Sequence, residues 1–126
     1  MPDRSGAVEL KVLTDDGVGL AGEQVGEGSS SSSSSSSPPA IVLLHGLTAM
    51  RRYVVMGSRV LQRAGLRTIS YDARGHGRSA PAPDHGAYGY ERLTGDLLAV
   101  LDALGIERAV LAGASMGAHT IARFAL

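Results

Sequence analysis

The sequence predicts an α/β protein built on a mostly parallel sheet, with elements in the order β-β-β-α-β-α-β-α. Three observations predict it. Short apolar runs of strand length alternate with stripes of helical spacing from residue 40 onward. Glycines fall where two of those stripes stop, at Gly65 and Gly105. Before residue 26 the apolar residues alternate instead at period two.

The elements follow in order. Val8, Leu10 and Val12 alternate with Glu9 and Lys11, the pattern of a half-buried strand. Asp15-Asp16-Gly17 is a turn signal, and a second strand runs over 18–25, weakened by two glycines. A run of nine serines, 29–37, lies between Gly28 and Pro38-Pro39 and has nothing to bury. Residues 28–39 therefore read as a flexible loop inserted between the second and third strands, with regulation by phosphorylation as the alternative. Residues 40–44 are continuously apolar, as in a strand buried on both faces. Tyr53, Met56, Val60, Leu61 and Ala64 recur at helical spacing, and 66–71 is the next strand. A Gly- and Pro-rich loop spans 72–89. Tyr90, Leu93, Leu97, Val100, Leu101 and Leu104 form the next helical stripe, 106–112 a further strand, and 116–126 opens a last helix. The alternating second half implies right-handed crossovers. No internal repeat is visible, and residues 1–126 read as one domain.

Composition excludes several functions. Of 126 residues 44% are hydrophobic and 19% charged, with twelve basic and twelve acidic side chains in balance. That balance argues against a nucleic-acid partner. Eleven of the twelve basic residues are Arg, which with abundant Ala and Gly points to codon usage rather than a binding surface. The absence of cysteine excludes disulfides, thiolate metal sites and a cysteine nucleophile. The first residues lack the apolar stretch of a signal peptide, and no run approaches the length of a membrane span. The expected location is the cytoplasm.

Three short segments carry chemistry. Gly113-Ala114-Ser115-Met116-Gly117 follows an apolar strand and opens a helix. Strand, sharp turn with a serine, then helix is the layout of a nucleophile elbow. A side chain at Gly113 or Gly117 would block close packing of helix on strand. The helix dipole and the free Met116 N–H favour the oxyanion formed when Ser115 attacks a carbonyl. The alternative is a glycine-rich turn that happens to hold a serine. His45-Gly46-Leu47 follows the strand at 40–44, where Leu47 N–H would be a second donor to the same oxygen; the alternative is a plain strand exit. Asp72-Ala73-Arg74-Gly75-His76-Gly77-Arg78-Ser79 forms a compact loop in which Asp72 and Arg74 pair with each other or hold a neighbouring loop. It lacks the lysine of a phosphate-binding loop and does not match G-x-G-x-x-G.

In this order and strand context the three segments resemble the N-terminal half of the α/β-hydrolase superfamily, most closely its esterases, lipases, haloperoxidases and C–C hydrolases. The resemblance covers nearly the whole chain outside the serine tract. It implies Ser115 as nucleophile and the Met116 and Leu47 N–H groups as oxyanion hole. It also implies structural roles near the site for His45, Gly46, Asp72, Arg74, Gly75, Gly77, Gly113 and Gly117. The expected substrate is a small molecule bearing an ester, thioester or lactone, with no metal or organic cofactor. Perhydrolysis or C–C bond hydrolysis are alternatives on the same fold. A serine at the elbow argues against dehalogenase-type chemistry, which uses an Asp there.

The family order is Ser, then Asp or Glu, then His. After Ser115 this sequence holds no Asp or Glu, and its only histidine is His119, one helical turn along. His119 reads as a surface or packing residue, His45 and His76 as structural, and His85 as a solvated loop residue. The expectation is an N-terminal fragment, inactive alone or serving as a binding or regulatory remnant. Its last strand would be a bare apolar edge open to association. Met50, Tyr53, Met56 and Met116 are candidates for core packing or pocket lining.

Overall fold

A computed structural model describes residues 6–26, 39–51, 54 and 59–126. The serine tract, Tyr53 and Met56 lie outside the described residues. The eight elements occur in the expected order: β1 Ala7–Leu13, β2 Gly19–Val25, β3 Ala40–Leu44, α1 Val60–Arg63, β4 Thr68–Tyr71, α2 Tyr90–Ala103, β5 Ala109–Gly113 and α3 Met116–Ala125. They build a five-stranded sheet of order β1-β2-β4-β3-β5. The expected parallel pairing occupies its later part, β4-β3-β5, and the first two strands add antiparallel ladders.

The β1–β2 turn is fixed by its own polar groups. Gly17 takes φ 85°, and Thr14 Oγ1 accepts the Val18 N–H at 2.9 Å while donating to Asp16 at 2.6 Å. This locks the direction of the Asp16 carboxylate, which matters below.

Two strands begin later than the apolar pattern suggests, for one shared reason. Gly65 and Gly105 both take positive φ after a helix. In each case the glycine N–H and the next N–H turn back onto helix carbonyls: Gly65 to Gln62 and Leu66 to Leu61, then Gly105 to Asp102 and Ile106 to Leu101. This paired pattern satisfies the open carbonyls of a helix end. It uses Leu66 and Ile106 as helix caps, so β4 starts at Thr68 and β5 at Ala109.

The core is formed by Val42, Ile69 and Leu97, each with no exposed surface, with Val18, Leu20 and Val100 at 1%. Burying each such side chain contributes about 1.5–3 kcal/mol. Leu93, Leu97 and Val100 are the buried stripe of α2, which packs on α3 and β1. At the other end of the sheet, β5 is a terminal strand among the described residues, and Val110 is half exposed.

Candidate active site

Strand register assembles the site. Leu44 stands beside Tyr71 on one side and beside Gly113 on the other. His45, Asp72 and Ala114 therefore leave the sheet next to one another, at the carboxyl edge where ligands bind in open α/β sheets.

The elbow is tight because side chains are withheld. A Cβ on Gly117 would stand 2.6 Å from the Leu44 carbonyl carbon, and one on Gly113 would stand 2.7 Å from the Gly117 carbonyl carbon. Both distances are impossible for real carbons, so α3 can lie against β3 and β5 only with glycine at these places. The turn is closed by hydrogen bonds from Ala114 N to Leu44 O at 3.1 Å and from Gly117 N to Ala114 O at 2.9 Å. Ser115 takes φ 51° and ψ −111°, a sparsely populated conformation for a residue with a side chain. It is exposed, and its hydroxyl has no hydrogen-bond partner among the described residues. Met116 begins α3, and its N–H is likewise without an acceptor among the described residues.

The loop after β3 lies against this serine. A Cβ on Gly46 would be 3.3 Å from Ser115 Cβ. The Leu47 N–H has no acceptor among the described residues. His45 is buried, with its Nε2 accepting the Ala73 N–H at 2.9 Å and its Nδ1 2.7 Å from Gly46 O. Burial holds its imidazole below the usual histidine range, so the ring is neutral at pH 7. His76 lies 5.1 Å away, ring to ring, and its Nε2 accepts the Thr48 N–H at 3.2 Å.

Asp72 and Arg74 do not pair with each other. Each holds a different part of the molecule. Asp72 is wholly buried and accepts the Arg51 N–H at 2.8 Å, the Arg51 guanidinium and the Arg78 N–H at 3.0 Å. Arg51 also pairs with Glu23 on β2 at 2.8 Å. The carboxylate occupies the space where a Cβ on Gly77 would stand, and Gly77 takes φ 50°. Ser79 completes the knot by donating to Asp72 O and accepting the Ala21 N–H. Arg74, 1% exposed, forks onto Asp96 of α2 at 2.7 and 2.8 Å, and onto Asp16 at 2.8 and 3.0 Å. Its remaining bond goes to Ala87 O. The guanidinium holds the Asp16 carboxyl well below the usual carboxylate range. Burial pushes Asp96 up, partly offset by the same guanidinium.

Gly75 also takes positive φ, with Tyr88 packed against it. His85 is exposed, in the loop where Asp84 accepts the Gly86 N–H. His119 stacks on Tyr90, with centroids 4.1 Å apart and planes 18° from parallel, and Arg123 lies over the same tyrosine at 5.9 Å. That stack joins α3 to α2 and engages the His119 ring. Met116 lines a hollow of about 280 Å³, open to solvent, with Leu44, Tyr71, Leu93 and Thr120. Glu23, Arg51, Asp16 and Asp96 are site-bracing residues that the motifs alone did not indicate.

The chain is similar to known proteins in sequence and fold. The profile of the alpha/beta hydrolase fold family matches residues 39–126. A mouse sn-1-specific diacylglycerol lipase, ABHD11, is 40% identical over 88 residues, covering 69% of this chain and 28% of that protein. An epoxide hydrolase of Caballeronia sordidicola is 33% identical over 116 residues, covering 92% of this chain and 32% of that protein. The crystal structure of epoxide hydrolase A from Mycobacterium thermoresistibile superposes with TM-score 0.79 at 32% identity, over 95% of this chain and 35% of that one. The chain thus spans about a third of the length of these relatives. With the profile covering more than half of its residues, and relatives that are hydrolases, the chain belongs to the alpha/beta hydrolase fold family.

Proposed function

We propose that Ser115 is the nucleophile of a serine hydrolase acting on a carboxylic ester, thioester or lactone. One observation carries the reading: an exposed serine in a strained turn, its hydroxyl without a partner among the described residues, stands beside an N–H group on Met116 that has no acceptor among the described residues. In the reaction Ser115 Oγ attacks the carbonyl carbon, and its proton passes to a histidine base. The carbonyl oxygen becomes an oxyanion, which accepts hydrogen bonds from the Met116 and Leu47 N–H groups. Collapse expels the alcohol, which takes the proton back, and leaves an acyl-Ser115 ester. Water, deprotonated by the same base, then releases the acid.

The chemistry of serine selects among the substrates that the relatives' names suggest. Opening an epoxide with a serine hydroxyl would form an ether, which has no carbonyl for water to attack and would end the cycle. Attack on an ester forms an ester that water can cleave. The diacylglycerol lipase relative fits that choice better than the epoxide hydrolases do.

The base and its acid are proposed to come from outside these 126 residues. No Asp or Glu follows Ser115 in them, and the ring of His119 is engaged by Tyr90. The 126 residues alone are therefore expected not to turn over an activated ester. The complete protein carrying them should react with a fluorophosphonate at Ser115, and Ser115→Ala should abolish labelling. Equal labelling of both would remove the nucleophile assignment.

A further inference from the structure

The N–H of Leu47 belongs to the Gly46–Leu47 peptide. All peptide bonds among the described residues are trans. A trans peptide is planar, so its C=O and N–H point in opposite directions and turn as one body. Whatever holds Gly46 O therefore sets the direction of the Leu47 N–H. Among the described residues two groups hold it: His45 Nδ1 at 2.7 Å and Ala49 N at 3.1 Å.

The His45 ring is itself held from its far side. The backbone N–H of Ala73 can only donate, so Nε2, 2.9 Å away, is the bare nitrogen and Nδ1 carries the hydrogen. The ring thus runs as a strut from the loop after β4 to the peptide over the nucleophile. His76 repeats the arrangement one step along, with Nδ1 3.0 Å from Arg74 O and Nε2 accepting from Thr48. Thr48 takes φ 63°, in the left-handed region that a side chain disfavours, and this hydrogen bond helps hold it there.

The geometry points to His45 as a positioning residue: its Nδ1–H aims the Leu47 N–H at the reacting oxygen by gripping Gly46 O, and its Nε2 ties that aim to the Asp72–Ser79 loop. The inference rests on the reading of Leu47 N–H as an oxyanion donor.

Asn and Gln separate the two ends of the ring. Asparagine places an N–H donor near the Nδ1 position and leaves the Ala73 N–H unpaired. Glutamine reaches the Nε2 position, offers Ala73 an acceptor, and leaves Gly46 O without its side-chain donor. In the complete protein, fluorophosphonate labelling of Ser115 should slow about tenfold or more in His45→Gln and His45→Ala, and stay within about threefold of wild type in His45→Asn; loss of an entire oxyanion donor, 10²–10³, is the ceiling. Equal rates for Asn and Gln overturn the inference. Melting temperatures of the two variants control for stability, which a purely structural role would move alone.

Amide spectra distinguish failure of the inference from failure of the reading beneath it. On phosphonylation of wild type the Leu47 amide proton should move downfield as it donates to the phosphonyl oxygen, and move less in His45→Gln. No movement in wild type removes the oxyanion reading and the inference with it. Equal movement in wild type and His45→Gln removes the inference alone. Ring nitrogen shifts give a test that needs no variant: a hydrogen on Nε2 of wild-type His45 overturns it.

Discussion

The elbow and the loop that braces it lie on one edge of the sheet and are built by opposite means. At the elbow, side chains are withheld: Gly113, Gly117 and Gly46 let three backbones approach within distances that no Cβ would tolerate, or only just. In the brace, charge is buried: Asp72, Arg74, Arg51, Glu23 and Asp96 lose nearly all contact with water. One region is held by volume and the other by charge balance. The difference teaches which substitutions each can bear. The elbow should tolerate changes of charge nearby and reject a methyl group. The brace should tolerate changes of size and reject an unmatched charge.

The strongest way to break this comparison is at Arg74. Arg74→Met keeps most of the volume and removes the cation between Asp96 and Asp16. Asp96 is 2% exposed, so its carboxylate is left buried without a partner. Removing one member of a buried ion pair costs about 3–5 kcal/mol. Urea denaturation should show a loss of that size. Adding Asp96→Asn should recover part of it, because the orphaned charge goes with it. A loss below about 1 kcal/mol, the range of exposed pairs, would mean that the brace is not held by charge.

The matching experiment at the elbow is Gly117→Ala. It adds one methyl group and no charge, directed at the Leu44 carbonyl. Overpacking of this kind costs about 1–3 kcal/mol. To accept it, α3 must move off β3, which carries Ser115 and the Met116 N–H away from the loop at Gly46. Fluorophosphonate labelling should therefore fall further than stability does. Labelling at the wild-type rate in a destabilised variant would show that the close approach serves packing only.

The same contrast explains what could be read from the sequence. The elbow was legible because its requirements are local: two glycines at fixed spacing about Ser115, a strand before and a helix after. His45-Gly46 was legible for the same reason, standing directly after an apolar strand. The brace was legible as a loop but not as a network. Arg74 finds its partners 58 residues earlier at Asp16 and 22 later at Asp96. Arg51 is bound to Asp72, 21 residues on, and to Glu23, 28 residues back. Nothing in the neighbourhood of Glu23 or Arg51 marks them as buried, because a charge in a strand or after a loop ordinarily faces water. Only the three-dimensional pairing makes their burial affordable in free energy. The late starts of β4 and β5 have a similar origin. Leu66 and Ile106 are apolar and fit a strand by composition, but their N–H groups are taken by the preceding helix.

The smallest predicted effect sharpens the comparison by supplying a glycine that neither region needs. Gly95 lies in the middle of α2, exposed, and a Cβ there would meet nothing within 4 Å. It has no turn to make and no neighbour to admit. Its backbone freedom in the unfolded chain is therefore an uncompensated cost, and Gly95→Ala should stabilise the protein by about 0.5–1 kcal/mol. Thermal unfolding would register this as a rise in Tm with labelling of Ser115 unchanged. Gly95→Ala and Gly117→Ala are the same chemical change in two helices, with opposite expected signs. If both destabilise, helical glycine in this protein is under a constraint other than contact, and the account of the elbow as a site held by excluded volume loses its support.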